Sequence, residues 1–312
     1  MWDKKARPGV HKGFERIKMD KIQILAYAKI NLGLDVLRRR EDGYHDLRMI
    51  MQTIGVCDTL TIEKTERDGE IELSSNIPSL PCDGSNLICK AAKLMMEEYS
   101  LPGGLRIHLE KEIPMAAGLA GGSTDAAATF NGINRLFELG IPKEELCRLG
   151  VKVGADVPYC IVGGTCLAEG IGERLTNLPA LSGATLVLIK PDFDVSTKYV
   201  YENLHANELK VHPDIDGQLS AIGEGNLEKT VALMGNVLEN VSVQKYPEIR
   251  QIKDDLVSLR SFGAMMSGSG PSVFGFFKDQ NDAVSASRVL KEKYPAAAVF
   301  VTGFISDIDR GV

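Results

Sequence analysis

Lys29 and Asn31 stand two residues apart in Ala28-Lys29-Ile30-Asn31-Leu32, Asp156 sits in Gly154-Ala155-Asp156-Val157-Pro158, and Gly118, Gly121 and Gly122 crowd a single turn. A lysine supplies a cation, an aspartate supplies a carboxylate that can take a proton, and clustered glycines let backbone N–H groups approach an anion. Together these residue types are the working parts of a reaction at a phosphate.

The glycine turn reads Pro114-Met115-Ala116-Ala117-Gly118-Leu119-Ala120-Gly121-Gly122-Ser123-Thr124, followed by Asp125 and three alanines, Ala126, Ala127 and Ala128. The alanines predict a helix. The unpaired N–H groups at its start, with the helix dipole behind them, suit a phosphate. Ser123, Thr124 and Asp125 are all N-cap types, so any of them can open that helix. The hydroxyls of Ser123 and Thr124 are also of a kind to touch phosphate or a phosphate-bound magnesium ion. The turn lacks the Gly-Lys-Ser/Thr ending of a Walker A loop and the G-x-G-x-x-G spacing of a dinucleotide fold. Taken alone, it reads equally well as a flexible turn before a core helix.

The other residues have bland readings too. Residues 22–37 alternate with period two, so Ile22, Ile24, Ala26, Ala28, Ile30, Leu32, Leu34 and Val36 are expected on one buried strand face. Lys29 and Asn31 then share the opposite face, where a lysine usually meets only solvent. Asp156, two residues before Pro158, reads as a helix cap or as a base. Asp42-Gly43 signals a hairpin, and Tyr44-His45 directly after it puts an aromatic ring and an imidazole at a strand edge, able to hold a heterocycle or simply to pack.

The elements that must carry these residues follow from the pattern. Further strands are expected over 49–63, 71–73 and 105–109, with a helix over 85–99 between the last two. The helix after the glycine turn runs to about residue 139, with Gly140 as its C′ residue, and a short helix starts at Pro142. Two short strands and an apolar strand over 184–190 lead into a mostly helical stretch, 196–259. A strand, the tight loop Ser267-Gly268-Ser269-Gly270-Pro271-Ser272, a second strand, a helix over 281–294 and a last strand over 297–304 then give a β-loop-β-α-β order. That order predicts an α+β second domain, with the boundary between Leu178 and Gly183.

The bulk composition is that of an ordinary soluble protein, 44% hydrophobic and 25% charged. A net charge of −6 argues against a nucleic-acid partner or an anionic membrane. The six cysteines form no C-x-x-C pair, which points to reduced thiols, no zinc site and a cytoplasmic location. Residues 1–18 are basic without an apolar core and read as a disordered extension rather than a secretory signal.

Three of the stretches resemble the motifs of the GHMP kinases, which phosphorylate a small-molecule hydroxyl with ATP. They are the strand with Ala28-Lys29-Ile30-Asn31-Leu32, the turn over 114–124, and Met266-Ser267-Gly268-Ser269-Gly270-Pro271-Ser272-Val273-Phe274, and they occur in the family's order. The resemblance covers about residues 21–303. It implies an α+β, two-domain fold: a ribosomal protein S5 domain 2-like domain over 19–180 and a ferredoxin-like α+β domain over 181–312. It implies ATP and Mg2+ as cofactors, residues 114–124 around the ATP phosphates, and Ser123 as a possible magnesium ligand. Asp156 matches the family's catalytic aspartate. Lys29 matches its partner lysine, which would keep Asp156 ionised, and Asn31 would orient the substrate. Asp42-Gly43-Tyr44-His45 marks the branch whose small-molecule substrate carries a cytidine diphosphate, with Tyr44 and His45 on the cytosine and Tyr201 as a second stacking ring. Tyr199 lies two residues from Tyr201, and the sequence leaves open which of them stacks. Many members read Gly-Leu-Gly or Gly-Leu-Ser where this chain has Gly118-Leu119-Ala120, a change of fine geometry.

Overall fold

The computed structural model describes residues 19–308. The expected disordered extension, 1–18, lies outside the described residues. Strand β1 (Lys21–Arg39) and strand β2 (His45–Thr65) form a long antiparallel hairpin whose tip, residues 40–44, is closed by the Arg40 N–H donating to the Tyr44 carbonyl. β2 pairs onward with β4 (Gly104–Glu110) and with β5 (Thr165–Gly170). β3 (Ile71–Ser75) lies parallel to β4, and β6 (Arg174–Asn177) edges β5. Helices α1 (Leu87–Glu98), α2 (Gly121–Leu136), α3 (Lys143–Gly150) and α4 (Val157–Val162) belong to the same half of the chain.

The second sheet has the order β11-β7-β10-β9, with all three pairings antiparallel: β7 (Thr185–Lys190), β9 (Ala264–Met266), β10 (Val273–Phe277) and β11 (Ala298–Thr302). Helix α10 (Gln280–Lys293) links its last two strands. Between β7 and β9 run α5 (Thr197–Glu202), α6 (Ile215–Gly223), α7 (Leu227–Ala232), α8 (Glu239–Lys245) and α9 (Glu248–Ser258). The two-residue strand β8 (Gly235–Asn236) lies among these helices, yet it pairs parallel with β1, Gly33 opposite Gly235 and Leu34 opposite Asn236. The helical reading of 196–259 misses it, because two residues carry no alternation to detect.

The single-face reading of β1 needs correction. Ile22, Ile24 and Ala26 pack in the core cluster that holds Ala126, Ala127 and Phe130 of α2, and Leu34 and Val36 return to it. Ala28, Ile30 and Leu32 instead pack in the other cluster, with Phe274 and Phe276 of β10. Register shifts between Tyr27 and Lys29 and between Asn31 and Gly33 account for the reversal. At the first, three residues of β2 (54–56) face the single residue Ala28; at the second, Leu32 is the extra residue on β1, and such irregularities bend and twist a strand. Lys29 and Asn31 are thereby delivered to the side where Ile24 and Ala26 meet α2, and they leave the solvated face altogether: Lys29 is 5% exposed and Asn31 is fully buried.

Helix starts also differ from expectation. Asn86, not Ser85, caps α1 by accepting from the Ile88 N–H at 2.9 Å. For α2 none of Ser123, Thr124 and Asp125 is the cap; the cap position is Ala120, in left-handed conformation at φ 57° and without a side-chain bond. The helix therefore begins at Gly121, one turn earlier than a side-chain cap would place it.

Candidate active site

The early start of α2 decides what its first turn can touch. The Thr124 hydroxyl donates to the Tyr27 carbonyl at 2.5 Å and is buried, so it is turned away from any phosphate. Ser123 faces a cavity of about 460 Å³ that the glycine turn encloses, together with Lys29, Asn31 and Asp156. Residues 114–123 all line it. Gly118, at φ +73°, packs so closely on the second glycine loop that an added Cβ would fall 2.2 Å from the Ser267 carbonyl oxygen.

The Gly118 carbonyl joins three motifs. It accepts from the Lys29 ammonium at 3.2 Å and from the Ser267 hydroxyl at 3.0 Å. Lys29 also donates to Asn31 Oδ1 at 2.8 Å. An ammonium has three N–H donors, so one remains for an oxygen in the cavity. Asp156 lines the same cavity but forms no ion pair with Lys29 among the described residues, contrary to the expected lysine–aspartate pair. Asp156 does occupy the cap position of α4, and its side chain makes no cap bond. Its carboxylate is half-buried and free to face a ligand.

A second cavity, about 730 Å³, is lined by Arg39, Tyr44, His45 and Lys198. Leu47, Ser123, Asp156, Thr197 and Tyr201 line both cavities, so Asp156 stands at their junction. The His45 and Tyr201 rings lie 5.1 Å apart, tilted by 35°. A base sandwiched between two rings needs about 7 Å, twice a carbon–carbon contact distance. The pair therefore forms a ledge against which a base can lie, not an open slot. Burial, with the Arg39 charge, holds the His45 imidazole below its usual range, and burial, with the Asp156 charge, pushes the Tyr201 phenol far above its own. Tyr44 is 57% exposed at the rim. Tyr199 is elsewhere: the Lys245 ammonium sits 3.4 Å over its ring, in a separate groove.

The sequence reading missed three parts of the site. The Thr197 and Ser269 hydroxyls lie 2.8 Å apart at the cavity wall. Asn236, the second residue of the small strand β8, donates to the carbonyls of Met266 (3.0 Å) and Gly268 (2.8 Å), tying the second glycine loop to the β1 sheet. Beneath the turn, Lys111 donates to Asp58 at 2.5 Å and to Asp125 at 2.8 Å, and Asp58 accepts the Glu112 and Ile113 N–H groups at 2.6 and 2.7 Å. Burial and the neighbouring Asp58 charge push the Asp125 carboxyl well above the usual range, against the pull of Lys111. Two buried carboxylates sharing one ammonium leave a net charge that a proton on Asp125 removes. The one hint in the sequence was Asp58 itself, a carboxylate in the middle of a long strand.

The family model described as GHMP kinases N terminal domain matches residues 86–164, and GHMP kinases C terminal matches 218–296. The chain belongs to the GHMP kinase family. It is 49% identical over 284 residues, 91% of this chain and 98% of the relative, to 4-diphosphocytidyl-2-C-methyl-D-erythritol kinase of Lachnospira eligens. It is 48% identical over 286 residues, 92% of this chain and 98% of the relative, to the kinase of the same name from Lachnoclostridium phytofermentans. A crystal structure of 4-(cytidine 5'-diphospho)-2C-methyl-D-erythritol kinase superposes with TM-score 0.76 at 32% identity, covering 90% of this chain and 99% of that one. A homoserine kinase from Cytophaga hutchinsonii, 20% identical with TM-score 0.77 and covering 95% and 98% of the two chains, shares the fold.

Proposed function

We infer that the protein is an ATP-dependent kinase that phosphorylates the 2-hydroxyl of 4-diphosphocytidyl-2-C-methyl-D-erythritol, in non-mevalonate isoprenoid precursor synthesis. One observation carries the reading: Asp156 lies where the glycine-lined cavity meets the cavity holding His45 and Tyr201. A nucleotide in the first and a cytidyl substrate in the second bring the γ-phosphate and the acceptor hydroxyl together at that carboxylate.

Phosphoryl transfer needs alignment and charge neutralisation more than covalent help. In this reading the turn 114–123 wraps the ATP phosphates at the N-terminus of α2, with the N–H groups of residues 115–123 as its backbone donors. Asp156 accepts the proton of the attacking hydroxyl. The spare N–H of Lys29 offsets charge on the reacting oxygens, and Asn31 fixes the direction of the ammonium. His45 and Tyr201 give cytosine a ring ledge and a hydrogen-bonding edge, with Tyr44 closing the rim.

Magnesium fits as a companion of the nucleotide. The ion keeps most of its waters and binds phosphate oxygens with one or two protein ligands, and Ser123, facing the cavity beside the turn, would be such a ligand. Bound there, it would neutralise phosphate charge. The division between the two sheets supports domain limits at about 19–180 and 181–312, with β8 of the second half pairing into the first sheet.

A homoserine or mevalonate-type kinase shares the fold but has no use for an aromatic ledge in a cavity of about 730 Å³. A non-catalytic sensor on this fold has no use for Lys29 or Asp156. The test is ATP consumption with the cytidyl substrate, homoserine and mevalonate in parallel. Turnover with the cytidyl substrate alone is expected; turnover with another, or none with any, overturns the reading.

A further inference from the structure

We propose that Arg39 binds the diphosphate of the cytidyl substrate and so makes the second cavity selective for nucleoside diphosphate esters over nucleosides; this rests on the function inferred above. Three arginines stand together here: Arg38 and Arg39 end the first strand, and Arg40 opens the hairpin tip. The outer two are neutralised. Arg38 donates to Asp46 at 2.5 Å, and Arg40 donates to Asp42 at 3.0 Å and to Asp46 at 3.3 Å. Arg39 points to the other side of the strand, and among the described residues it has no carboxylate partner.

Its placement is fixed by the ladder. Arg39 lies directly opposite His45, and such cross-strand neighbours share one face with Cβ atoms about 5 Å apart. Both line the cavity that reaches Asp156. The Arg39 charge is felt at His45, where it helps keep the imidazole neutral.

The substrate supplies the complementary chemistry. Its base rests at His45 and Tyr201, its reacting hydroxyl at Asp156, and its diphosphate must lie between these ends. The cavity wall also carries the carboxylates of Asp156 and Glu202, which repel phosphate. A guanidinium answers this with a planar fork that can grip two phosphate oxygens at once. Both cations of the cavity are exposed, but Lys198 already has a carboxylate partner, Glu202 at 3.8 Å.

The test compares cytidine, CMP and CDP by calorimetry on the full chain, with ADP saturating so that the pyrimidine ligand reports the second cavity. The wild type is expected to bind CDP more tightly than cytidine. Arg39→Gln should weaken CDP about ten-fold, the scale of one partly exposed charge-assisted hydrogen bond, while cytidine changes less than about two-fold. Arg39→Lys should recover part of the loss, and Lys198→Gln should change CDP binding less than about three-fold. His45→Ala should weaken cytidine and CDP alike, which separates base recognition from phosphate recognition. An unchanged CDP-to-cytidine ratio in Arg39→Gln overturns the assignment, as does an equal loss of both ligands. A wild type that binds neither ligand overturns the cytosine reading, and Arg39 falls with it.

Discussion

The Ser267 hydroxyl donates to the Gly118 carbonyl over 3.0 Å, and this bond locks the two glycine loops together across 149 residues of sequence. The contact leaves no room at Gly118, where an added Cβ would lie 2.2 Å from the Ser267 backbone oxygen and the backbone angle φ is +73°. Gly118→Ala should therefore cost about 2 kcal/mol or more in stability and raise the KM for ATP at least about ten-fold. At Gly121 an added Cβ meets the Lys111 ammonium at 2.9 Å and Ile113 Cγ2 at 3.2 Å. Gly121→Val should raise the KM for ATP strongly in a protein that still folds. Wild-type ATP affinity in both variants would remove the turn from the nucleotide site.

Asp156→Asn isolates the proposed base. The aspartate makes no cap bond at the start of α4, and asparagine caps as well as aspartate in any case. We expect an unchanged melting temperature and ATP affinity, with kcat lower by about 10²–10⁴-fold. A kcat near wild type at saturating substrates would exclude Asp156 from proton transfer.

The buried Asp125 carboxyl should leave a mark on stability against pH. Its folded-state pKa is raised, so the fold holds a proton that the unfolded chain releases above about pH 4. The stability it contributes is full below that point and is lost as pH rises toward the folded value. Asp125→Asn keeps a neutral amide at every pH. Thermal melts should show the variant within about 1 kcal/mol of wild type at low pH, with a flatter decline as pH rises. A loss of about 3–5 kcal/mol at all pH values would mean that Asp125 is a charged partner of Lys111 throughout.

His45 predicts a pH profile for substrate binding. Burial and Arg39 lower its pKa, so the neutral ring persists below the usual value of about 6.5. If the neutral imidazole meets the cytosine edge, the KM for the cytidyl substrate should stay flat from pH 8 to about 6.5 and climb only at lower pH. A KM that already climbs between pH 8 and 7 would contradict a neutral His45 at the base.

Much of this architecture was legible because it is written in neighbouring residues. The alternation around Lys29, the glycine turn, the loop at Ser267 and the amphipathic α10 each announce themselves within a dozen positions. What escaped depends on distant partners. Nothing in the even spacing of Ala26 and Ala28 shows that a bulge sends them to different cores. Thr124 looks as free as Ser123 until the Tyr27 carbonyl claims its hydroxyl. The Asp58–Lys111–Asp125 cluster gathers residues up to 67 positions apart, beyond any motif window. The choice of Tyr201 over Tyr199 at the cavity likewise depends on how α5 lies against the hairpin.

The pairing of Gly235 with Gly33 sets an order on the birth of the molecule. A ribosome delivers the Lys29 strand early, yet the rung that flanks it, and the Asn236 side chain that ties down the Ser267 loop, emerge some 200 residues later. Until then the strand edge beside the nascent site is bare, the kind of edge that invites pairing with another chain. The half of the chain that holds Lys29 and Asp156 should therefore depend on its own C-terminal half during synthesis, as a client depends on a chaperone. Supplying residues 184–308 in trans should raise the soluble yield of residues 19–183 expressed alone.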